Sequence, residues 1–374
     1  MKTVDDLREA LDYPFDAPAP DPAAIIAGGR RRRAARRALV GSGVAGAVAV
    51  AVLANGAPSR HDGRPDLTDG APNPVLVAAT APLTRTAPDR FDPLTRTLNI
   101  GWIPAGLIDQ QAEITPWSQT YSGFDASHVN GGPDVGLVVE VLAKGRPVSD
   151  LSDGALGLPL LAVSHPTEPV NGQPAECLSA PEAPRSCPAI RWQYAPGSWA
   201  RVSYAGSVGT APETADAVAR RVAESVSLTA GEPVRLPFTL TGAPAAMKAA
   251  RTRVDIYQSG STGINGERWS ASIDLVTSDS DLQNSGDPSR LSIETMQRPD
   301  DPSGRIGRDN APNTTAAGHP AWRQNDGGAL VVWGINGTRT VVEYRNHPGD
   351  AETMFADVHV LPTPDDPAHW VAVQ

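Results

Sequence analysis

The chain has 374 residues, with 32 basic and 42 acidic side chains and only 2 cysteines. That length is enough for two domains with proper cores. The charge is uneven: residues 1–37 carry net +2 and the remainder net −12, so bulk electrostatics excludes the larger part as a nucleic-acid or polyanion binder.

The amino-terminal tail, 1–37, opens with a helix signal. Thr3 can cap a helix that Asp6 completes, with Val4, Leu7 and Leu11 on one face. Ala17–Pro20 breaks it, and Asp21-Pro22 starts a second short helix. Such helices bury no core alone. The tail is therefore either a solvated, disordered segment or a docking peptide that folds on a cytoplasmic partner through Val4, Leu7 and Leu11.

Six arginines (Arg30, Arg31, Arg32, Arg33, Arg36, Arg37) then abut residues 38–54, which contain only Ala, Val, Gly, Leu and one Ser. As a helix this run covers roughly 25 Å, enough to cross a hydrocarbon core. The arginines hold the amino end in the cytoplasm, so about 320 residues are expected outside. Val52-Leu53-Ala54 is also compatible with signal-peptidase cleavage. Residues 55–90 read as a Pro-, Gly- and Thr-rich linker.

Beyond Leu94 the sequence suggests an internal duplication, with repeat 1 at 91–231 and repeat 2 at 232–374. Leu98, Ile100 and Pro104-Ala105-Gly106-Leu107 recur as Phe238, Leu240 and Pro244-Ala245-Ala246-Met247. Trp192, Val202 and Tyr204 recur as Trp333, Val342 and Tyr344, and Gly172-x-Pro174-Ala175 as Gly318-x-Pro320-Ala321. Each copy reads as strands followed by a helix. In the first, strands are expected at 96–103, 136–143, 189–194 and 200–205, with a helix at 212–226. In the second they are expected at 235–241, 252–258, 269–277, 291–296, 329–333 and 338–344, with a helix at 350–360. Asn336-Gly337 is a two-residue hairpin signal. The expected fold class is α+β: a transmembrane helix, then two duplicated modules of antiparallel sheet plus helix.

Cys177 and Cys187, amid prolines, read as one disulfide-closed loop. A zinc pair is the alternative, but no second Cys or His pair stands at ligand spacing. No nucleophile elbow, phosphate loop, dinucleotide glycine pattern or zinc-protease helix is present. No catalytic residue, metal or cofactor is therefore assigned. Trp117, Tyr121 and Phe124, in a Ser/Gly/Thr stretch, form a candidate loop cluster for a sugar ring or acyl chain.

The repeated Pro-Ala-Gly strand end, Gly-x-Pro-Ala strand, paired Trp and Tyr strands and Ala215-x-x-Val218 helix resemble a known ectodomain. It is that of actinobacterial-type membrane-bound sigma-factor regulators and their lipoprotein relatives, which is similar in layout to lipoprotein carriers. The topology also resembles transmembrane anti-sigma factors. The resemblance implies a curved antiparallel sheet with helices on its concave side. It also implies a single-pass regulator with an extracytoplasmic sensor domain, an envelope ligand and a cytoplasmic sigma-factor partner. The tail departs from that family. It lacks a His-x-x-x-Cys-x-x-Cys motif and is too short for the usual sigma-binding domain, which leaves only the helix around Val4, Leu7 and Leu11 for capture. The second functional expectation is an anchored module binding lipid, glycan or an envelope protein, with an inert tail.

Overall fold

A computed structural model describes residues 86–107, 109–124, 136–148, 163–181, 183–205, 214–242, 247–257, 268–278, 290–297, 312–345 and 349–373. The residues assigned above to the tail (including Val4, Leu7 and Leu11) and to the apolar segment 38–54 lie outside these, as does most of the linker. Among the described residues no helix is long and apolar enough to cross a membrane.

The fold is dominated by one antiparallel sheet of 14 strands. The strands of the first half are β2 (Asp109–Ile114), β3 (Ser118–Phe124), β4 (Gly136–Leu142), β5 (Val163–Val170), β6 (Gln173–Ser179), β7 (Ala189–Ala195) and β8 (Ser198–Ala205). Those of the second are β12 (Lys248–Tyr257), β13 (Trp269–Val276), β14 (Arg290–Gln297), β15 (Thr314–Ala316), β16 (His319–Arg323), β17 (Ala329–Ile335) and β18 (Thr338–Arg345). From the central β2–β12 pair the order outward is β2-β3-β4-β8-β7-β6-β5 on one side and β12-β13-β14-β18-β17-β16-β15 on the other. Three two-stranded ribbons complete the β-structure. They pair β1 (Thr95–Ile100) with β9 (Val226–Pro233), β11 (Phe238–Leu240) with β19 (Val358–Val360), and β10 (Arg235–Leu236) with β20 (Val371–Ala372).

This corrects the expected α+β class. The described α-helices are only α1 (Ala215–Ser225) and α2 (Ala351–Phe355), beside one 3-10 turn at Pro367–His369, and fourteen of the strands form one sheet instead of two. The reason lies at the seam. Each half alone would end in an unpaired strand, β2 or β12, and pairing them satisfies both ladders. The second helix is shorter than its apolar spacing suggested. Val358 and Val360 pair with Leu240 and Phe238, so the chain leaves the helix to extend.

The core lies on one face. Tyr121, Leu137, Val139, Val202, Tyr204, Ile273, Ile293 and Val342 alternate inward from the strands; α1 packs on β7 and β8 with Val218, Ala219, Val222 and Ala223, and the short helix α2 packs on β17 and β18 with Ala351, Met354 and Phe355. Thr214 caps α1, its Oγ1 accepting from Ala217 N at 3.3 Å. The predicted hairpin is present, with Asn336 and Gly337 at φ +50° and +78° between β17 and β18. Edge strand β5 carries Pro166 and Pro169, and Arg220 of α1 donates to the Glu168 carbonyl at 2.8 Å and to Thr167 Oγ1 at 3.0 Å. These features blunt an edge that could otherwise template pairing.

The disulfide is present. Cys177 on β6 is bonded to Cys187 just before β7, with Cα atoms 5.3 Å apart. A closed loop with sequence separation 10 constrains the unfolded chain by about 2–3 kcal/mol. Reducing it, or replacing both cysteines by serine, should lower stability by that amount in urea unfolding while the far-ultraviolet signal of the folded sheet is kept.

Candidate functional site

The three residues expected to form a loop cluster do not converge. Tyr121 and Phe124 belong to β3, three positions apart, and so point to opposite faces. Tyr121 is 1% exposed in the main core, while Phe124 packs in a separate cluster with Val138 and Ala205. Trp117 stands apart, half-buried in the β2–β3 turn.

At that turn two arginine side chains lie over the Trp117 ring. The guanidinium carbons of Arg90 and Arg146 lie 4.7 and 4.8 Å from its ring centroid, a distance at which indole attracts a cation. Main-chain hydrogen bonds fix the segments that supply these groups. Phe91 N donates to Pro116 O at 3.0 Å, Ala143 N to Trp117 O at 2.8 Å, Lys144 N to Pro88 O at 2.8 Å and Gly145 N to Gly197 O at 3.0 Å. Four separate stretches of chain therefore meet in one rigid platform. Lys144 is part of it, with its ammonium 3.6 Å from Asp89.

The face of the sheet opposite the core carries a second charged array. Directly opposed residues form a continuous line across nine strands: Glu176, Arg191, Arg201, Glu140, Thr120, Glu113, Arg253, Ser272 and Glu294. A slip of one residue would turn these charges into the core, so the row pins the register. Next to it, Asp255 is buried. Arg253 Nε donates to both its oxygens at 3.0 and 2.9 Å, and Ser270 Oγ donates at 2.8 Å. Burial pushes the Asp255 carboxyl up to about 6, against the opposing pull of Arg253. Asp274 is shared by Arg251 at 2.9 Å and Arg290 at 3.2 Å. These ion pairs tie β12, β13 and β14 to one another across the sheet, which suits a structural role better than ligand capture.

Among the described residues no three His, Cys, Asp or Glu side chains converge in a way that could hold a metal. A hollow of about 370 Å³ lies at the β16–β17 turn, lined by Trp322, Arg323, Gln324, Asn325 and Asp326. It is a shallow surface feature outside the core.

No protein-family model matches this chain, and no curated protein matches it. Among solved structures it is similar to the crystal structure of MucB in complex with MucA(peri). That match covers 68% of this chain and 93% of the other at 12% identity, with a TM-score of 0.21. A score that low carries no argument about ligand or partner.

Sequence reasoning missed the platform because Arg90, Trp117 and Arg146 are far apart in the chain and belong to no motif. The one signal available was a tryptophan beside a turn among polar residues. It also aligned Trp192 with Trp333, which the register separates. Trp192 lies opposite Ala200 and in the main core, whereas Trp333 lies opposite Arg339 and outside that cluster.

Proposed function

We propose that the β-fold is an extracytoplasmic binding domain, held at the cell membrane by residues 38–54 and without enzymatic activity of its own, whose tail reports inward to a sigma factor. The observation that carries the outside placement is the disulfide: both cysteines of the chain lie in this domain and are joined, as expected in an oxidising compartment. The arginine block before the uncharged segment supports the same orientation.

The two halves of the sheet are read as duplicates. Strands β7 and β17, and β8 and β18, have equal lengths and start 140 residues apart. The seam register places Glu113 opposite Arg253, again 140 residues apart, as expected for equivalent residues on a local two-fold axis. A second reading, an anchored binding module with an inert tail, is favoured by the Arg90–Trp117–Arg146 platform, which offers a contact site without needing an inner partner.

The chain's lysines supply a direct test of orientation, because they are only Lys2, Lys144 and Lys248, and the last two are exposed on the domain. An impermeant amine-reactive reagent on intact cells should modify Lys144 and Lys248 and leave Lys2 untouched until the cells are opened. Labelling of Lys2 with protection of the other two would reverse the assignment. The inward half is tested by capture with residues 1–37: a sigma factor retained by the native tail and lost on L7D/L11D supports it, and none retained leaves the inert-tail reading.

A further inference from the structure

We propose that the hollow at the β16–β17 turn holds one ring of an uncharged saccharide. Its volume is about 370 Å³, at the small end of the range for ligand sites. Among the described residues it is lined by Trp322 and Arg323, which close β16, and by Gln324, Asn325 and Asp326 of the turn. Two of these side chains are uncommitted. The Trp322 indole and the Asn325 carboxamide enter no hydrogen bond, ion pair or ring contact among the described residues. The indoles of Trp269 and Trp370, by contrast, donate to Asp365 Oδ1 at 3.0 Å and to Pro364 O at 2.7 Å. Trp322 is half-buried outside the main core, and Asn325 is exposed. An indole attracts the weakly positive C–H bonds of a pyranose to its negative ring faces. A carboxamide offers donors and an acceptor side by side, as a pair of sugar hydroxyls requires.

The other lining groups set the frame and the charge. Gln324 N donates to Ala329 O at 2.9 Å, and Gly327 N to Gln324 O at 2.9 Å. Asp326 accepts from Gly328 N at 2.9 Å and from Gln324 Nε2 at 3.1 Å. The turn is therefore ordered before a ligand arrives, and little entropy is lost at binding. Arg323 reaches the start of α2, 3.4 Å from both Asp350 and Glu352. With one cation and one anion in the lining, an ionic ligand meets no net counter-charge, and one indole is too little wall for a purely apolar ligand. A neutral polyhydroxylated ring meets both conditions. Aligning Gly172-x-Pro174-Ala175 with Gly318-x-Pro320-Ala321 puts Glu176 at the matching place in the other half. There Arg191 Nε and Ser164 Oγ already donate to the carboxylate at 2.7 Å each, so the feature belongs to the second half. The site deepens the reading of this fold as a binding domain, and rests on the extracytoplasmic placement only for where the saccharide is met. Binding itself is a property of the purified chain.

The test uses the full-length protein in polyoxyethylene detergent micelles, which carry no sugar, and isothermal titration. Methyl β-glucoside, methyl β-galactoside, methyl α-mannoside and N-acetylglucosamine are added in separate runs. At least one should bind in the millimolar range, as expected for a single ring in an open site. W322A should weaken that binding about tenfold or more. N325A should weaken it roughly two- to tenfold, the range for losing one neutral hydrogen bond. R185A, an exposed arginine elsewhere, should bind as the native chain does. Titration without heat from any of the four sugars overturns the site. Native affinity in W322A or in N325A overturns its placement at this turn. Asn325 lies in an exposed turn, so N325A decides the matter should W322A not fold. Failure here leaves the lysine-labelling result standing, and the converse also holds.

Discussion

R253M is expected to cost the fold about 3–5 kcal/mol at pH 8, because it strands the buried Asp255 carboxylate without its cation. The single Nε–H of Arg253 is shared between both carboxylate oxygens at 3.0 and 2.9 Å, with Ser270 as the only other hydrogen-bond donor found for Asp255 among the described residues. The loss should shrink at pH 5. The carboxyl already sits at about 6 in the native fold, above the ordinary value of about 3.9. The folded state therefore holds a proton that the unfolded chain has released. Stability from this group is full below about pH 4 and declines as the pH rises to about 6. Removing Arg253 raises that carboxyl further, so the decline extends to higher pH. Urea unfolding at pH 5 and pH 8 measures the difference, and R253M/D255N should recover most of it. A loss that is the same at both pH values would show that Asp255 is not a buried charge held by Arg253.

Q119L should cost about 3 kcal/mol or more, although it puts an apolar side chain at a core position. Strand β1 pairs with β9 through an irregularity between Arg96 and Leu98, which leaves main-chain groups outside the ladder. Gln119, 1% exposed, supplies their partners. Its Oε1 accepts from Thr97 N at 3.0 Å and Leu98 N at 2.8 Å, and its Nε2 donates to Thr95 O at 3.1 Å. Each group orphaned by the substitution costs about 1–3 kcal/mol. Hydrogen exchange is the sharper measurement. The Leu98 amide should lose protection in Q119L while the Val202 amide, on a strand paired on both sides, keeps it.

Gln119 also shows why part of the sheet was illegible in the sequence. Ser118–Phe124 contains a buried glutamine where a strand pattern calls for an apolar residue, so its alternation reads as a polar loop. The partner that makes that glutamine acceptable is a bulge about twenty residues away, which no local rule detects. Asp109–Ile114 fails for the same reason: its Asp109, Gln110 and Gln111 are all buried. Strands with apolar side chains on the core face, such as Ala200–Ala205 and Leu291–Met296, were read within one or two residues. So was the Asn-Gly hairpin, whose turn chemistry is local. The disulfide was legible because only two cysteines exist. The cation–indole platform was not, because its parts converge only after β1, β3, β4 and β8 are in place.

The seam between β2 and β12 joins strands that hold the same place in each half. A polypeptide of half this length could finish its sheet only by recruiting another molecule of itself, with a yield set by concentration. Linking the two in one chain removes that dependence, so the sheet is completed even where the protein is scarce. It also releases each half from having to match itself. Where one wing presents Glu176 opposite Arg191, the other presents Trp322 opposite Val331, an inequality that no symmetric homodimer could carry.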